Sequence, residues 1–197
     1  SFLAKNISEC KRYFKRIGGP VVMKLVSPDI LHKTEAGGVK VGIASIKEVE
    51  TSFSEIINSA KKYKNDAVIE GVQLQPLISG GTEVIVGVSK DPQFGHLLMF
   101  GLGGIYVELL KDVSFRVIPV TDIEAGEMIE EIKTVKMLKG FRNISERDIN
   151  GIKDVLLRVS QLCTDFPEIE ELDINPLMVL EKGKGAIAVD ARFSFNI

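Results

Sequence analysis

The chain has 197 residues, of which 45% are hydrophobic and 26% charged, so it can bury a core as one large domain or as two smaller lobes. Its formal net charge of -2 argues against a nucleic-acid partner, and no apolar run approaches the roughly 20 residues that a membrane-spanning helix needs. The two cysteines, Cys10 and Cys163, lie far apart in helical patterns and predict buried free thiols in a reducing cytoplasm.

The first part of the chain predicts two helices and a pair of strands. Capping patterns at Asn6 and Ser45 each indicate the start of a helix, because a short polar side chain there is followed three residues later by glutamate. The predicted elements are, in order, a helix that ends at Gly18-Gly19, a strand over residues 20–26, its partner over residues 38–43, and a helix to about residue 64.

The second part is predicted to be rich in strands. A capping box at Thr121 opens an acidic helix through residue 133, and an apolar stripe predicts a last long helix over residues 145–166. The predicted strands are residues 67–75, 82–89, 96–101, 113–119, 171–180 and 185–193. Hairpins mixed with helices favour an α+β fold over a doubly wound parallel sheet.

A lysine lies inside the apolar strand of residues 20–26, and the loop after it carries one of the two histidines. An unpaired buried ammonium group is costly, so a covered Lys24 would need an anion such as a phosphate. His32, at the mouth of such a site, can relay a proton or a phosphoryl group near neutral pH. The alternatives are that Lys24 reaches solvent at a sheet edge and that His32 only caps its loop.

The last predicted hairpin places polar side chains together. Asp173 and Asn175 lie two residues apart and therefore share one face of their strand. If residues 181–184 form a four-residue loop, Asn175 lies opposite Asp190, with Cβ atoms about 5 Å apart. Carboxylate and amide oxygens on one face suit Mg²⁺. A hydrogen-bonded polar pair at a sheet edge is the alternative.

A glycine-rich segment follows the strand of residues 96–101. Gly103 and Gly104 fit neither the dinucleotide-binding spacing nor the P-loop spacing, although consecutive glycines let backbone N–H groups approach an anion. A plain tight turn is the other interpretation. We interpret His96, which opens that strand, as a structural or surface histidine.

These patterns together resemble the ATP-grasp proteins, and among them the β subunit of ADP-forming acetate–CoA ligase; the β subunit of succinyl-CoA synthetase is more distantly similar. The matching stretches are VVMKLVSPDILHKTEAGGVKVGI, EGVQLQPLISGGTEVIVGVSKDPQFGHLLMFGLGGIYVELLKDVSFRVIP, ELDINPLMVL and AIAVDARF. The resemblance implies an ATP-grasp fold of two α/β lobes with the nucleotide bound between them, expected at residues 1–75 and 76–197. A helical segment precedes the matching region in that family, so we expect the start of the first lobe to be truncated.

The resemblance implies the reaction acyl-CoA + ADP + phosphate ⇌ carboxylic acid + CoA + ATP, with Mg²⁺ as cofactor. It also implies a CoA-binding α subunit or domain as partner, in an assembly of the α2β2 type. A histidine of that partner takes phosphate from an acyl phosphate. His32 matches a second histidine that passes the phosphate to ADP, and Glu108 falls in a loop near the transferred phosphate.

The resemblance assigns binding roles as well. Lys24 matches the lysine that holds the nucleotide phosphates, and Asn175 and Asp190 match the Mg²⁺ ligands, in agreement with the cross-strand argument. Gln73, Leu74 and Gln75 match the hinge that lines the adenine, largely through backbone groups. Glu83 matches the acidic residue on the ribose, and Gly103 and Gly104 fall in the loop near the transferred phosphate.

Three alternatives stay open. The chain could be a regulatory region of a protein lysine acetyltransferase, which senses a ligand rather than catalysing a reaction. It could also be an ATP-grasp ligase that uses an acyl phosphate without phosphohistidine, or another CoA ligase such as succinyl-CoA synthetase. The joint presence of His32, Lys24, Asn175 and Asp190 favours an enzyme.

Overall fold

The computed structural model of the chain describes residues 1–104, 111–140 and 145–195. The chain divides into two units, which we call unit 1 (Ser1–Leu77) and unit 2 (Ile78–Ile197). Within the described ranges, no helix combines the length and the apolar character needed to cross a lipid bilayer.

Unit 1 is a four-stranded antiparallel sheet in the order β1-β4-β2-β3, with two helices packed on one face. Its elements are β1 (Phe2–Ala4), α1 (Ile7–Ile17), β2 (Val21–Val26), β3 (Val39–Ile43), α2 (Ile46–Tyr63) and β4 (Gly71–Pro76). The pairing of β2 with β3 confirms the predicted partner strands. The strand predicted from residue 67 begins only at Gly71, so that prediction was too long at its start.

Local side-chain contacts explain where the helices of unit 1 begin and end. The side chain of Asn6 accepts a hydrogen bond from the backbone N–H of Glu9, as its capping pattern predicts. Ser45 and Glu48 satisfy each other's backbone N–H groups in a full capping box. Helix α1 ends at Gly18, whose φ of +76° is a left-handed conformation that glycine adopts without a Cβ penalty.

Unit 2 is an antiparallel sheet in the order β10-β8-β5-β6-β7, with β9 also paired to β8. Its elements are β5 (Thr82–Asp91), β6 (Gly95–Leu102), β7 (Val113–Val117), α3 (Asp122–Glu131), a short 3-10 helix (Val135–Met137), α4 (Ile149–Asp165), β8 (Ile169–Val179), β9 (Ala186–Ala188) and β10 (Ala191–Phe195). Helices α3 and α4 pack on one face of the sheet and share its apolar core.

Several predicted boundaries in unit 2 were wrong. The last long helix begins at Ile149 rather than at residue 145, because the backbone N–H of Arg147 donates to Leu138 outside the helix, at 2.8 Å. The last strand is two strands, β9 and β10, separated at Val189 and Asp190. The acidic helix ends at Glu131 instead of residue 133.

Each sheet turns one face to its helices and carries polar side chains on the other. In unit 1, Val21, Met23 and Leu25 of β2 belong to the core, so the residues between them project to the helix-free face. In unit 2, Val84 and Val86 of β5 belong to the core in the same way. Most of the predicted site residues lie on these helix-free faces.

Candidate functional site

Lys24 lies on the helix-free face of unit 1 and keeps only 8% of its surface exposed. The register of β2 with β4 pairs Lys24 with Gln73 and Val22 with Gln75. Directly opposed residues of an antiparallel pair project to the same face, so Lys24, Gln73 and Gln75 are neighbours. The structure thus brings together the predicted phosphate lysine and two of the three predicted hinge residues.

Leu74, the third predicted hinge residue, has a different environment. Its side chain is fully buried in the core of unit 1. Its backbone lies between two strands, with Phe2 of β1 on one side and Met23 of β2 on the other. The side chains of β4 that can contact a ligand on the helix-free face are therefore those of Gln73 and Gln75. The side chain of Leu74 packs in the core instead.

His32 lies at the exposed tip of the loop between β2 and β3. Its side chain is 69% exposed, and its Nδ1 lies 3.8 Å from Oε1 of Glu35. The backbone carbonyl of His32, rather than its imidazole, accepts the hydrogen bond from Ala36 N–H that closes the loop, at 3.2 Å. Ile30 and Ala36 are buried on either side and anchor the loop. The imidazole is therefore presented to solvent by a turn whose backbone is held on both sides.

Asp29 anchors the same loop and was missed by the sequence analysis. Its Oδ2 accepts a hydrogen bond from the backbone N–H of Val68 at 2.7 Å, and its Oδ1 lies 3.4 Å from Nζ of Lys64. The Val68 N–H, followed by the charge of Lys64, holds the pKa of the Asp29 carboxyl below its usual value despite some desolvation. The signal in the sequence was an aspartate directly after a proline, which is typical of turns.

Glu83 in unit 2 lies beside the two glycines of the glycine-rich segment. Gly103 N–H donates to the backbone carbonyl of Glu83 at 2.8 Å. A Cβ atom on Gly103 would lie 3.1 Å from Glu83 Cβ, and one on Gly104 would lie 3.9 Å from Glu83 Oε2. The predicted ribose residue and the predicted phosphate loop therefore share one place in unit 2, at the helix-free face.

The predicted register of the last hairpin is confirmed. Leu177 pairs with Ala188 and Ile174 with Ala191, so Asn175 lies opposite Asp190. The backbone N–H of Asn175 donates to the carbonyl of Asp190 at 3.1 Å. Because Ile174 faces the core, Asn175 and the opposing Asp190 project to the helix-free face. One amide and one carboxylate oxygen donor at adjacent positions fit a Mg²⁺ ion, which prefers hard oxygen ligands.

Asp173 and Arg192 extend the polar group around Asn175 and Asp190. They are directly opposed in the pairing of β8 with β10, two positions along from the Asn175–Asp190 pair. Burial raises the pKa of the Asp173 carboxyl, the charge of Arg192 lowers it, and the charge of Asp190 raises it again. The sequence analysis did not single out Arg192, although the register that placed Asp190 also predicts its position.

Arg147 fixes the start of β5, next to Glu83. Its Nε donates to Thr82 Oγ1 at 2.8 Å and its Nη1 donates to the carbonyl of Gly80 at 3.1 Å. A guanidinium bonded at two points holds this turn in one conformation. No local sequence pattern indicates such a contact, because the partners are separated by 65 and 67 positions along the chain.

Two cavities differ in whether they adjoin the polar residues described above. A cavity of about 230 Å³ lies on the helix-free face of unit 2, and Gly87, Met99, Phe115 and Asp173 are among its lining residues. A cavity of about 730 Å³ in unit 1, lined by Leu3, Phe53 and Ile57 among others, includes none of the predicted site residues.

Two residues singled out in the sequence remain, His96 and Glu108. His96 is buried, and its Nε2 donates to the carbonyl of Ile169 at 2.6 Å, which confirms a structural role. Glu108 lies outside the described residues. Within residues 1–104, 111–140 and 145–195, no cluster of three or more His, Cys, Asp or Glu side chains could hold a metal.

Known proteins resemble the whole chain. The ATP-grasp domain family matches residues 1–195. The β subunit of acetate–CoA ligase (ADP-forming) II of Pyrococcus furiosus is 51% identical over 191 residues, which cover 96% of this chain and 81% of that subunit. The 4-hydroxybutyrate–CoA ligase (ADP-forming) of Nitrosopumilus maritimus is 50% identical over 192 residues, which cover 98% of this chain and 28% of that ligase. The chain thus spans little more than a quarter of the latter protein.

Solved structures of acetyl-coenzyme A synthetase 1 from Ca. Korarchaeum cryptofilum are similar as well. One, in complex with coenzyme A, Ca-AMPCP and HgCl⁺, has a TM-score of 0.95 at 44% identity and covers 99% of this chain and 84% of that chain. Another, with coenzyme A and Mg-AMPPCP and with a phosphohistidine segment pointing towards the nucleotide binding site, has a TM-score of 0.83 at 40% identity and covers 98% of this chain and 84% of that chain.

Proposed function

We propose that this chain, which belongs to the ATP-grasp domain family, is the nucleotide-binding part of an ADP-forming acyl-CoA synthetase. The reaction is acyl-CoA + ADP + phosphate ⇌ carboxylate + CoA + ATP, and this chain passes phosphate between a phosphohistidine and the nucleotide. The names of the Pyrococcus and Nitrosopumilus relatives support the reaction class. The Korarchaeum structure with Mg-AMPPCP and a phosphohistidine segment supports the relay.

The observation that carries the proposal is the position of Lys24. A lysine with 8% of its surface exposed lies on the same face as Gln73 and Gln75. Its ammonium group binds the nucleotide phosphates, because a cation on the same face as two amide side chains offers an anion charge-assisted hydrogen bonds. Gln73 and Gln75 lie beside it and line the adenine end of the same nucleotide.

Unit 2 contributes the metal and ribose contacts in this proposal. Asn175 and Asp190 hold Mg²⁺, which neutralises negative charge on the phosphates when it is bound. Glu83 binds the ribose hydroxyls through its carboxylate, and the backbone N–H of the exposed Gly104 contacts the transferred phosphate. Glu108, from the same glycine-rich segment, keeps its predicted role near the transferred phosphate.

His32 carries the phosphoryl group between the partner and the nucleotide. A neutral imidazole is a nucleophile near neutral pH, and its phosphoryl adduct conserves the free energy of the acyl phosphate from which the group came. Solvent exposure of 69% leaves the ring accessible to a donor histidine on another domain. Transfer between two proteins or domains also requires a segment that moves between two positions.

The partner in this proposal is a CoA-binding α subunit or an α domain on the same chain, in an assembly of the α2β2 type. The Pyrococcus relative is named as a β subunit, and the Nitrosopumilus ligase is several times longer than the matched region. Both support a second part that binds CoA and the acyl group. We therefore expect that second part, and not this chain, to select the carboxylic acid.

The test assembles the chain with its CoA-binding partner and supplies acetyl-CoA, ADP, phosphate and Mg²⁺. We expect ATP formation that falls by at least 100-fold in His32→Ala, while the affinity for Mg-ADP, measured by calorimetry, changes less than two-fold. Leu31→Ala, a neighbouring exposed residue in the same loop, is the matched control and keeps the wild-type rate. Wild-type turnover in His32→Ala would remove the relay from the proposal.

A further inference from the structure

We infer that Arg147 is a positioning residue that sets how strongly the nucleotide site selects a ribose with free hydroxyl groups. Its guanidinium bonds to Thr82 and Gly80, two of the three residues that directly precede Glu83. Arg147 acts on the ribose through Glu83, so this inference rests on the proposed function, in which Glu83 binds the ribose hydroxyls.

Two hydrogen bonds of ordinary length join Arg147 to the start of β5. Nε of Arg147 donates to Oγ1 of Thr82 at 2.8 Å, and Nη1 donates to the carbonyl of Gly80 at 3.1 Å. The bond to Thr82 is partly buried, which protects it from competition with water. A planar guanidinium that bonds through two of its nitrogen atoms fixes its two partners relative to each other. The segment of residues 80–82 is thereby held in one position against Arg147.

This segment has little stiffness of its own. Gly80 and Gly81 are consecutive glycines before Thr82, and Gly80 adopts a φ of +79°. Glycine restricts the backbone less than any other residue, so a glycine pair gives the start of a strand little local rigidity. Arg147 holds the carbonyl of the first glycine and the side chain of the residue after the second. Its side chain therefore supplies the constraint that the two glycines lack.

The backbone of Arg147 is itself anchored to remote parts of unit 2. Its N–H donates to the carbonyl of Leu138 at 2.8 Å, and it forms a β-bridge with Glu181. The next residue, Asp148, donates its N–H to the carbonyl of Leu180 at 2.9 Å and is the N-cap of α4. An arginine whose backbone is held at these points is a firm support for a segment more than 60 positions away in the chain.

The direction of the Glu83 carboxylate depends on the backbone that Arg147 supports. Glu83 lies between Thr82 and the core residue Val84, so its side chain projects to the helix-free face. The residue is exposed, and its carbonyl accepts a hydrogen bond from Gly103 N–H at 2.8 Å. Without the contacts of Arg147, the preceding residue can shift. The carboxylate then loses the fixed direction that strong hydrogen bonds to ribose hydroxyls require.

The experiment uses the chain assembled with its partner and measures, by calorimetry, the dissociation constants of Mg-ADP and of Mg-2′,3′-dideoxy-ADP, which lacks both ribose hydroxyls. The ratio of the two constants reports the selection of the ribose and does not change when nucleotide affinity falls in general. We expect the wild type to prefer ADP by about ten-fold or more, since hydrogen bonds to a charged group contribute that much. Arg147→Met, which keeps a long side chain without its donors, should reduce this preference by about three- to ten-fold.

Three further variants show whether Arg147 acts through Glu83. Thr82→Val removes the acceptor of Nε at nearly constant volume and should reduce the preference by about two- to three-fold. In a Glu83→Ala background, Arg147→Met should cause no further fall, because the two residues act on the same contact. The matched control is Arg158→Met in α4, whose guanidinium pairs with Asp154 at 2.8 Å on the exposed side of the helix. It should keep the wild-type ratio.

Each contrary result has its own meaning. A wild-type ratio in Arg147→Met, even with a lower melting temperature, would overturn this inference alone and leave Arg147 a purely structural role. Should Arg147→Met not fold, a wild-type ratio in Thr82→Val would overturn it equally. Equal affinities of the wild type for the two nucleotides would remove the ribose contact of Glu83 and this inference with it. A wild type that binds no Mg-ADP would contradict the proposed function itself.

Discussion

At the scale of single residues, the burial of Lys24 and the exposure of His32 are the two most informative facts. The lysine is 8% exposed within a strand, whereas the histidine side chain is 69% exposed on the following loop. A buried cation and an accessible nucleophile are what a phosphoryl relay requires, because the cation holds the nucleotide while the nucleophile must meet a second donor.

Replacing Lys24 with methionine tests the phosphate contact. The variant keeps most of the length of the side chain, so packing in β2 is preserved while the charge is lost. A hydrogen bond to a charged group contributes about 1.5–3 kcal/mol, so we expect binding of Mg-ADP to weaken roughly 10- to 100-fold by calorimetry. Lys40→Met on the neighbouring strand, where Nζ lies 2.5 Å from Glu55, is the control and should bind normally. Equal affinity in Lys24→Met would exclude the phosphate role.

Single-residue chemistry was predictable where the residue types were rare. His32, one of only two histidines, and Lys24, a lysine within an apolar strand, could be identified as candidate site residues from the sequence alone. Arg192 and Asp29 were missed, because charged residues in loops and at sheet edges are common and their relevance depends on which neighbours they meet. The sequence alone could not show whether the Leu74 side chain is buried in the core or contacts a ligand, because an apolar residue in a strand fits both.

At the scale of secondary-structure elements, Asp148 joins the last helix to the last hairpin. Its Oδ1 accepts from Gly151 N–H in the first turn of α4 at 3.0 Å, and its Oδ2 accepts from Gly185 N–H at 2.7 Å. These backbone groups, Gly185 first, hold the pKa of the Asp148 carboxyl below its usual value. The helix start and the loop that sets the Asn175–Asp190 register therefore depend on one ionised carboxylate.

Asp148→Ala should lower the free energy of unfolding by about 1–2 kcal/mol at neutral pH, the usual cost of losing a helix N-cap. Because the pKa is lower in the folded state, this stabilisation is complete above the unfolded value of about 3.9 and is lost as the pH falls through the folded value. The difference between wild type and variant in urea denaturation should therefore shrink below about pH 4.

Asp154→Ala, on the exposed side of the same helix, is the control for this measurement. Its carboxylate only pairs with Arg158 at 2.8 Å, so we expect a change below about 0.5 kcal/mol. A difference for Asp148→Ala that grows on acidification would contradict the capping role, because a group with a lowered folded pKa cannot stabilise more strongly when protonated.

Replacing Gly103 tests whether the glycine-rich segment packs closely against Glu83 of β5. An alanine there would place Cβ 3.1 Å from Glu83 Cβ and 3.2 Å from the Glu83 carbonyl oxygen, and backbone atoms cannot move aside easily. We expect Gly103→Ala to destabilise unit 2 by about 1–2 kcal/mol in thermal unfolding, as overpacked sites do. Gly126→Ala in α3 meets nothing closer than Lys153 Cε at 3.8 Å and should instead stabilise, by up to about 1 kcal/mol. Equal stabilities of Gly103→Ala and wild type would contradict the close contact.

Element predictions succeeded where local rules suffice and failed where distant contacts decide. The register of the hairpin followed from strand alternation and a four-residue loop, and the structure has that register. The start of α4 was placed too early, because Arg147 is held by Leu138, Thr82 and Gly80, which are remote in sequence. Capping boxes at Ser45 and Thr121 were found correctly, since both partners lie within four residues.

At the scale of the whole molecule, the ATP-grasp fold expected from resemblance is confirmed by the family match over residues 1–195. The same two units correspond to 81% of a separate β subunit in Pyrococcus and to 28% of a longer ligase in Nitrosopumilus. Composition and spacing alone could not show that one relative is a separate subunit and the other a longer chain.

The most direct measurement of the central claim is isotope exchange between ADP and ATP in the chain assembled with its partner, with Mg²⁺ but without CoA or any acyl compound. A phosphohistidine intermediate on His32 predicts exchange under these conditions, because the phosphoryl group can leave ATP and return to labelled ADP. We expect His32→Ala to abolish exchange, and Asp190→Ala to slow it by at least ten-fold, with Asp122→Ala as the control carboxylate of unit 2. Exchange that requires a carboxylate or acyl-CoA and persists in His32→Ala would contradict the account and indicate direct transfer through an acyl phosphate, and absence of exchange in the wild type would contradict it as well.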